Sequence, residues 1–141
     1  MVECNLCKMI ESWFWIKEYE YWNLGVSLYQ HTLGSIVIIL KIHKEMFSEI
    51  TEEEIIELRK IIQIAQKILD LEFKPDWYNV QQNGNWERHL HIHVISRYKD
   101  KRNFGGKVFI DKTFGQPVEY NSKQKDKNFL RKLTEVLKKR L

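Results

Sequence analysis

The stretch His89-Leu90-His91-Ile92-His93-Val94-Ile95 holds three of the five histidines of the chain, at every second position. Strict alternation is the period of a β-strand, whose successive side chains point to opposite faces of a sheet. As a strand, the stretch places its three imidazoles on one face and Leu90, Ile92 and Val94 in a core. A merely exposed polar face would not require histidines, so the pattern predicts a functional site.

Two kinds of chemistry suit three imidazoles on one sheet face. They can converge on a catalytic metal ion that keeps one coordination position open for water. Alternatively, one neutral imidazole can act as a nucleophile while its neighbours orient it and adjust its proton. The spacing alone leaves both possibilities open.

Two cysteines, Cys4 and Cys7, have the spacing of half a tetrahedral zinc site, which two imidazoles often complete. His43 and one histidine of the strand are the available donors, whereas His31 precedes Gly34 in a predicted turn and is expected at the surface. The alternative is a pair of reduced cysteines in an N-terminal turn. The first residues carry no apolar leader, so we expect a reducing, cytoplasmic location.

Composition favours a soluble globular domain without a membrane span. Of the 141 residues, 43% are hydrophobic and 30% are charged, and the longest apolar run, residues 36–40, is far too short to cross a bilayer. The net charge is +4, with basic residues concentrated in residues 97–141. We interpret that concentration as a solvated helix face, so a nucleic acid partner is not expected.

The pattern of apolar residues predicts an α+β domain. Strands are expected at residues 13–21, 26–30, 35–41 and 77–82 and at the histidine stretch, with a turn at 23–25 and helices at 51–71 and 123–140. Thr51 and Glu54 form a capping box at the start of the first helix. Asn83-Gly84 predicts a hairpin with a short connection into the histidine strand.

The histidine stretch resembles the signature of the histidine-triad (HIT) superfamily of nucleotide hydrolases and transferases. The resemblance extends to Cys4-Asn-Leu-Cys7-Lys8, to residues 30–35 and the strand leading into Lys41-Ile42-His43, to the capped helix, and to residues 79–84. It covers roughly residues 4–98 and is nearest to the branch related to diadenosine polyphosphate hydrolases.

The resemblance implies a fold, a nucleophile and a metal site. The fold would be an antiparallel sheet of about five strands with a central amphipathic helix and a C-terminal helix, in one domain (residues 1–141, core 4–98, with the loop and basic helix 99–141 following), paired as a homodimer through a helix and a strand edge. His91 would attack the α-phosphorus of a purine nucleotide and His93 would orient it, with His89 on the same face. Structural zinc would be held by Cys4, Cys7, His43 and His89.

The resemblance also assigns phosphate contacts. Asn85 occupies a position where the family commonly has a phosphate-binding Gln, and Asn83 or Asn79 corresponds to a further polar contact. The sequence departs from the family pattern at three points: Trp86 stands where Ser or Thr is usual, the loop before the triad is short, and Ser96-Arg97 replaces the usual Pro-Arg. The first two concern substrate choice and leaving-group chemistry.

The sequence therefore predicts a nucleotidyl hydrolase or transferase that cleaves a dinucleoside polyphosphate or a nucleoside phosphoramidate. The alternatives are a non-catalytic, zinc-stabilised nucleotide-binding protein, a metal-dependent hydrolase that uses all three histidines, and a nucleotide phosphorylase that forms the same covalent intermediate.

Overall fold

The computed structural model describes residues 4–121 and 123–141. Its centre is a five-stranded antiparallel sheet in the order β1-β2-β3-β5-β4, and a separate two-stranded ribbon pairs β6 with β7. The strands are β1 (Trp15–Glu18), β2 (Trp22–Val26), β3 (Ile36–Leu40), β4 (Trp77–Gln81), β5 (His91–Arg97), β6 (Arg102–Phe104) and β7 (Lys107–Phe109). The helices are α1 (Asn5–Met9), α2 (Glu52–Phe73) and α3 (Lys127–Lys138). The predicted α+β architecture is confirmed.

Helix α2 begins where the capping box predicts. The Thr51 hydroxyl accepts from the Glu54 N–H at 3.1 Å, and the Glu54 carboxylate accepts from the Thr51 N–H at 3.0 Å. These bonds satisfy donors that a helix start otherwise leaves unpaired. The helix ends at Lys74, which has a φ of 48° and donates its N–H to the Asp70 carbonyl. It is therefore two residues longer than predicted at its C-terminus.

The two faces of the sheet differ in what covers them. Helix α2 packs against β2, β3 and β5, and α3 packs against β1 and β2; together with the aliphatic side chains of the sheet they form the main core. A second, smaller apolar cluster contains Cys4, Leu6, Val37 and Ile39. Since Val37 pairs with His93 and Ile39 with His91, this cluster lies on the histidine face.

The predicted turn at residues 23–25 is wrong, and so is the predicted second strand at 26–30. Residues 22–26 form β2, and a bent segment follows it. Gly25 is in the sheet because the rings of Trp13 and Trp15 lie on it: a Cβ there would come within 2.8 Å of Trp13 and 2.7 Å of Trp15. Gly25 thus allows close packing of the two rings against the strand, whereas in the sequence a glycine at this position indicates a turn.

The histidine strand begins two residues later than predicted, at His91, and His89 lies in a bend before it. Strands β4 and β5 are antiparallel neighbours as expected, but residues 82–90 connect them, so the connection is not short. Gly84 adopts a φ of +91° within this segment.

Within the described residues, no helix is both long and apolar enough to cross a bilayer. That residues 1–141 form one domain stays a prediction.

Candidate functional site

His91 and His93 project from the same face of β5, and their rings meet edge to face with centroids 5.0 Å apart. Both residues are half-buried, so each has protein packing on one side and solvent on the other. Strand alternation therefore places two of the three histidines on one face of the sheet, as predicted.

The His91 ring is fixed by its own backbone neighbourhood. Its Nδ1 lies 2.6 Å from the His89 carbonyl oxygen. Because a carbonyl can only accept a hydrogen bond, Nδ1 carries the proton, and in the neutral ring Nε2 keeps a free lone pair. His91 is thus held in the tautomer that a nucleophilic imidazole requires.

His93 is held neutral. Burial, together with the neighbouring His91 and His31, lowers the pKa of His93 to about 4. At neutral pH the face therefore presents an uncharged imidazole beside His91.

His89 faces a different group of residues. It is fully buried, and its Nε2–H donates to the Leu40 carbonyl at 2.6 Å. Its Nδ1 then has a free lone pair, which lies 3.3 Å from both cysteine sulfurs, Cys4 Sγ and Cys7 Sγ. With both nitrogens engaged, His89 is positioned as a ligand and as a backbone acceptor for His91.

The four predicted metal ligands come together. The donor atoms of Cys4, Cys7, His43 and His89 all lie within 4.8 Å of one another. His43 Nδ1 is 3.2 Å from His89 Nδ1 and 3.6 Å from Cys7 Sγ. Tetrahedral zinc with thiolate and imidazole ligands requires donor separations of about 3.3–3.8 Å, so these residues could form such a metal site.

The ring nitrogen of His43 that faces away from the cluster lies near a carboxylate, with Nε2 3.7 Å from Glu45 Oε1. Carboxylates commonly orient metal-binding imidazoles in this way. The sequence analysis did not identify Glu45, although it stands two residues after His43.

The three asparagines predicted to bind phosphate occupy different surroundings. Asn79 lies in β4, and its Oδ1 accepts from Arg97 Nη1 at 2.6 Å. Asn83 is exposed and donates to the Tyr120 hydroxyl at 3.1 Å. Asn85 is exposed in the loop before the triad, next to Trp86, which is 97% exposed. Among residues 4–121 and 123–141, the side chains of Asn79 and Asn83 have hydrogen-bond partners, whereas that of Asn85 has none.

Sequence reasoning missed the part played by Arg97, which is buried at the end of β5. Its guanidinium pairs with Asp111 at 2.7 Å and also donates to the carbonyls of Thr113 and Gln116. These bonds hold the segment of residues 111–116 against the end of the histidine face. The signal was present in the sequence, because Arg97 continues the alternation of residues 91, 93 and 95.

His31 lies beside this segment and is half-buried. Its Nδ1 accepts from the Asn121 N–H at 2.7 Å, and burial lowers its pKa. The predicted surface position of His31 is therefore wrong, and no local sequence pattern indicates its contact with Asn121.

Comparison with known protein families identifies the region that contains the triad. Residues 31–100 match the HIT domain family. The matched region includes all three triad histidines and His43, whereas Cys4 and Cys7 precede it.

Solved structures with HIT domains have the same fold. A hypothetical histidine triad nucleotide-binding protein from Sulfolobus tokodaii superimposes with a TM-score of 0.76 at 21% identity, over 96% of this chain and 90% of its own. A HIT family protein from Bacillus anthracis has a TM-score of 0.64 and 25% identity over 70% and 75% of the two chains. A Zn-bound histidine triad family protein from Mycobacterium smegmatis has a TM-score of 0.69 and 16% identity over 97% and 91%. Comparison with curated protein sequences gives no significant match.

Proposed function

We propose that this protein is a nucleotidyl hydrolase or transferase that cleaves a purine nucleoside polyphosphate or phosphoramidate at the α-phosphate through a nucleotidyl-His91 intermediate. The observation that carries the proposal is the 2.6 Å contact between His91 Nδ1 and the His89 carbonyl oxygen. It leaves the Nε2 lone pair of His91 available on the half-buried face of the sheet.

In the first step, the lone pair of His91 Nε2 forms a bond to the α-phosphorus, and the bond from phosphorus to the leaving group breaks. A polyphosphate oxygen departs as an oxyanion, whereas an amide nitrogen takes a proton from solvent and departs as ammonia. The positive charge that develops on the ring is shared with the His89 carbonyl through the Nδ1–H. In the second step, water attacks the same phosphorus and releases a proton to solvent, while the P–N bond breaks and its electron pair returns to Nε2. Neutral His93 packs against His91 and orients it, while Asn85 is the proposed contact for phosphate oxygen.

The acceptor in the second step distinguishes hydrolysis from phosphorolysis. Both reactions pass through the same intermediate, and they differ only in whether water or inorganic phosphate attacks it. Adding inorganic phosphate and looking for ADP beside AMP therefore separates the hydrolase from the phosphorylase.

We further propose that the Cys4, Cys7, His43 and His89 cluster binds structural zinc. Four protein ligands leave no open position, so a bound zinc ion would stabilise the fold without activating water. The Zn-bound relative from Mycobacterium smegmatis supports the choice of metal. A reducing compartment such as the cytoplasm would keep both thiols available as ligands.

The test is AMP release from diadenosine tetraphosphate and from an adenosine phosphoramidate, measured for the parent, His91→Ala and His93→Ala with excess EDTA. We expect release by the parent, a loss of at least a thousandfold in His91→Ala, and a smaller loss in His93→Ala, because only His91 forms the covalent bond. Circular dichroism of each sample checks that the fold persists in chelator.

Two outcomes would support other functions. Activity that disappears with chelator while the fold persists would support the metal-dependent hydrolase. A parent that binds AMP but releases none from either substrate would support the non-catalytic nucleotide-binding protein.

We also propose that two chains pair through α2 and the free edge of β4. Strand β4 is an edge strand, and Val80 on it is 47% exposed. A groove of about 340 Å³ beside it is lined mainly by apolar side chains of α2 and its surroundings, including Phe47, Ile55 and Ile62. An open strand edge next to an apolar groove favours association with a second copy.

Light scattering of the parent and of Val80→Lys tests this pairing. We expect a dimer for the parent and a monomer for Val80→Lys, since the lysine would bury a charge in the interface. Val108→Lys, at a residue of β7 that is 61% exposed, is the matched control and should remain dimeric. A monomeric parent would contradict the proposal.

A further inference from the structure

A polar corner on the histidine face is formed by His31, Gln81, Asn83 and Tyr120. The ring of Tyr120 meets His31 edge to face with centroids 4.8 Å apart. Tyr29 stacks on His31 with ring planes 8° apart. The imidazole of His31 is therefore held in one orientation by two aromatic rings and a backbone hydrogen bond.

The backbone bond also fixes the proton of His31. The Asn121 N–H can only donate, so Nδ1 accepts and the proton of the neutral ring lies on Nε2. Within residues 4–121 and 123–141, Nε2 has no hydrogen-bond partner, and it is not among the unpaired side-chain atoms sealed from solvent. His31 thus presents an unused N–H donor to solvent.

This donor lies beside the triad. The Tyr120 hydroxyl is 3.4 Å from Gln81 Oε1, and Gln81 lies directly opposite His93 across β4 and β5. Directly opposed residues of an antiparallel pair have side chains on the same face. Tyr120, Gln81 and His93 therefore form a continuous path, and His31 is close enough to His93 to lower the pKa of that residue.

The corner is fixed by the same segment that Arg97 holds. Residues 110–121 pass from the Arg97–Asp111 ion pair to Tyr120 and Asn121, and with His31 they line a cavity of about 340 Å³. That volume is in the range of small-molecule pockets, about 300–1,000 Å³. Ammonia would leave most of such a space empty, whereas its volume suits part of a nucleotide.

We propose that His31 and Tyr120 bind the leaving group of the substrate and select a second nucleotide over a small amine. In an in-line displacement the leaving group departs opposite to the nucleophile. It therefore points away from β5, toward the segments that flank the histidine face. On the α1 side, the cysteines and His43 are occupied with one another. On the opposite side, His31 Nε2–H can donate to a phosphate oxygen and the exposed Tyr120 ring can contact a base. This inference rests on the proposed nucleotidyl transfer.

The test compares kcat/KM for diadenosine tetraphosphate with kcat/KM for an adenosine phosphoramidate, whose leaving group is ammonia. One hydrogen bond to a charged group corresponds to roughly a tenfold to hundredfold effect. We therefore expect His31→Ala to lower the ratio of the two values at least tenfold. His31→Gln should recover part of the loss, because its amide can accept from Asn121 and still donate an N–H.

Val108→Ala is the control, because Val108 is 61% exposed on β7 and is not among the residues that line the cavity; the ratio should stay within twofold. Equal losses for both substrates in His31→Ala would show a purely structural role and overturn the inference. If kcat/KM for both substrates is unaffected in His31→Ala, the inference is overturned as well.

A binding measurement separates this inference from the proposed reaction. In a His91→Ala background, His31→Ala should weaken binding of diadenosine tetraphosphate about tenfold relative to AMP, which has no leaving group. If the parent is inactive but this difference is present, the subsite stands and the proposed reaction fails. If the parent is active and both ligands respond equally, the subsite fails and the reaction stands.

Discussion

The two ends of the histidine strand are held by different chemistry. Before the strand, His89 is joined to Cys4, Cys7 and His43 by donor atoms spaced for a metal ion. At its end, Arg97 is 2% exposed and is held by an ion pair and hydrogen bonds to the segment of residues 111–116. His91 and His93, the proposed catalytic pair, lie between them.

The difference shows two ways to fix one functional face. A metal ion bound by the four residues would join distant parts of the chain through a few soft donors, and the stability it provides would depend on its occupancy. A buried guanidinium also joins distant parts of the chain, through many hydrogen bonds. It stabilises the fold only while its partners are present, because an unpaired buried charge is costly. A chelator should therefore destabilise the end that contains His89, whereas only a mutation should destabilise the end that contains Arg97.

The largest expected effect is the loss of the metal end. Cys4→Ser should abolish stoichiometric zinc binding and lower the free energy of unfolding by on the order of 5 kcal/mol or more, because the binding energy of a structural zinc site is folding energy. Metal analysis combined with denaturant unfolding measures both quantities, and excess EDTA should lower the stability of the parent while leaving it folded in the absence of denaturant. Full zinc content and unaltered stability in Cys4→Ser would contradict the assignment.

Disruption of the arginine end should rank second. Arg97→Met leaves Asp111 buried without its partner and should cost about 3–5 kcal/mol of unfolding free energy. Hydrogen bonds from Arg97 and from the Tyr98 N–H outweigh the burial of Asp111 and lower its pKa, so the loss should be greatest at neutral pH.

Arg140→Met is the matched control for Arg97→Met. Arg140 pairs with Glu72 at 2.8 Å, but its side chain is 46% exposed, and we expect a loss below about 1 kcal/mol. The double variant Arg97→Met with Asp111→Leu should recover part of the stability, because it removes both buried charges. Equal losses at Arg97 and Arg140 would contradict the role assigned to the buried pair.

The smallest effect concerns the histidines between the two ends. The pKa of His93 is about 4 in the folded protein, below the ordinary value of about 6.5. Between these values the unfolded chain binds more protons, so stability should fall as the pH decreases from about 6.5 to 4 and should then level off. The contribution is up to about 3 kcal/mol.

Comparison of unfolding free energies at several pH values for the parent and His93→Gln isolates this contribution from the protonation of the metal ligands. The difference between the two proteins should become smaller as the pH decreases. A difference that is independent of pH would contradict the neutral state of His93.

The sequence predicted the regular parts of the site because their signals are local. The capping box of α2, the alternation of β5 and the Cys-x-x-Cys spacing each depend on residues within a few positions of one another. The bend at His89 was not predicted, because the alternation of apolar and polar residues continues through it. In the structure His89 lies outside β5, and its backbone carbonyl accepts a hydrogen bond from His91 Nδ1–H.

The Arg97 network and the Asn121–His31 contact could not be derived in this way. Residues 97 and 111 are 14 positions apart, and residues 31 and 121 are 90 apart; no periodicity links them. Gly25 was wrongly interpreted as a turn residue for a related reason. Its role depends on two tryptophan rings that only tertiary packing places against it.

The most direct test of the account is detection of the covalent intermediate. The parent would be mixed with diadenosine tetraphosphate, quenched in alkali within its first turnover, and analysed by intact-protein and peptide mass spectrometry. We predict one adenylyl group per chain, located on His91, and none in His91→Ala. A parent that turns over the substrate without carrying an adduct, or that carries it on another residue, would contradict nucleophilic catalysis by His91.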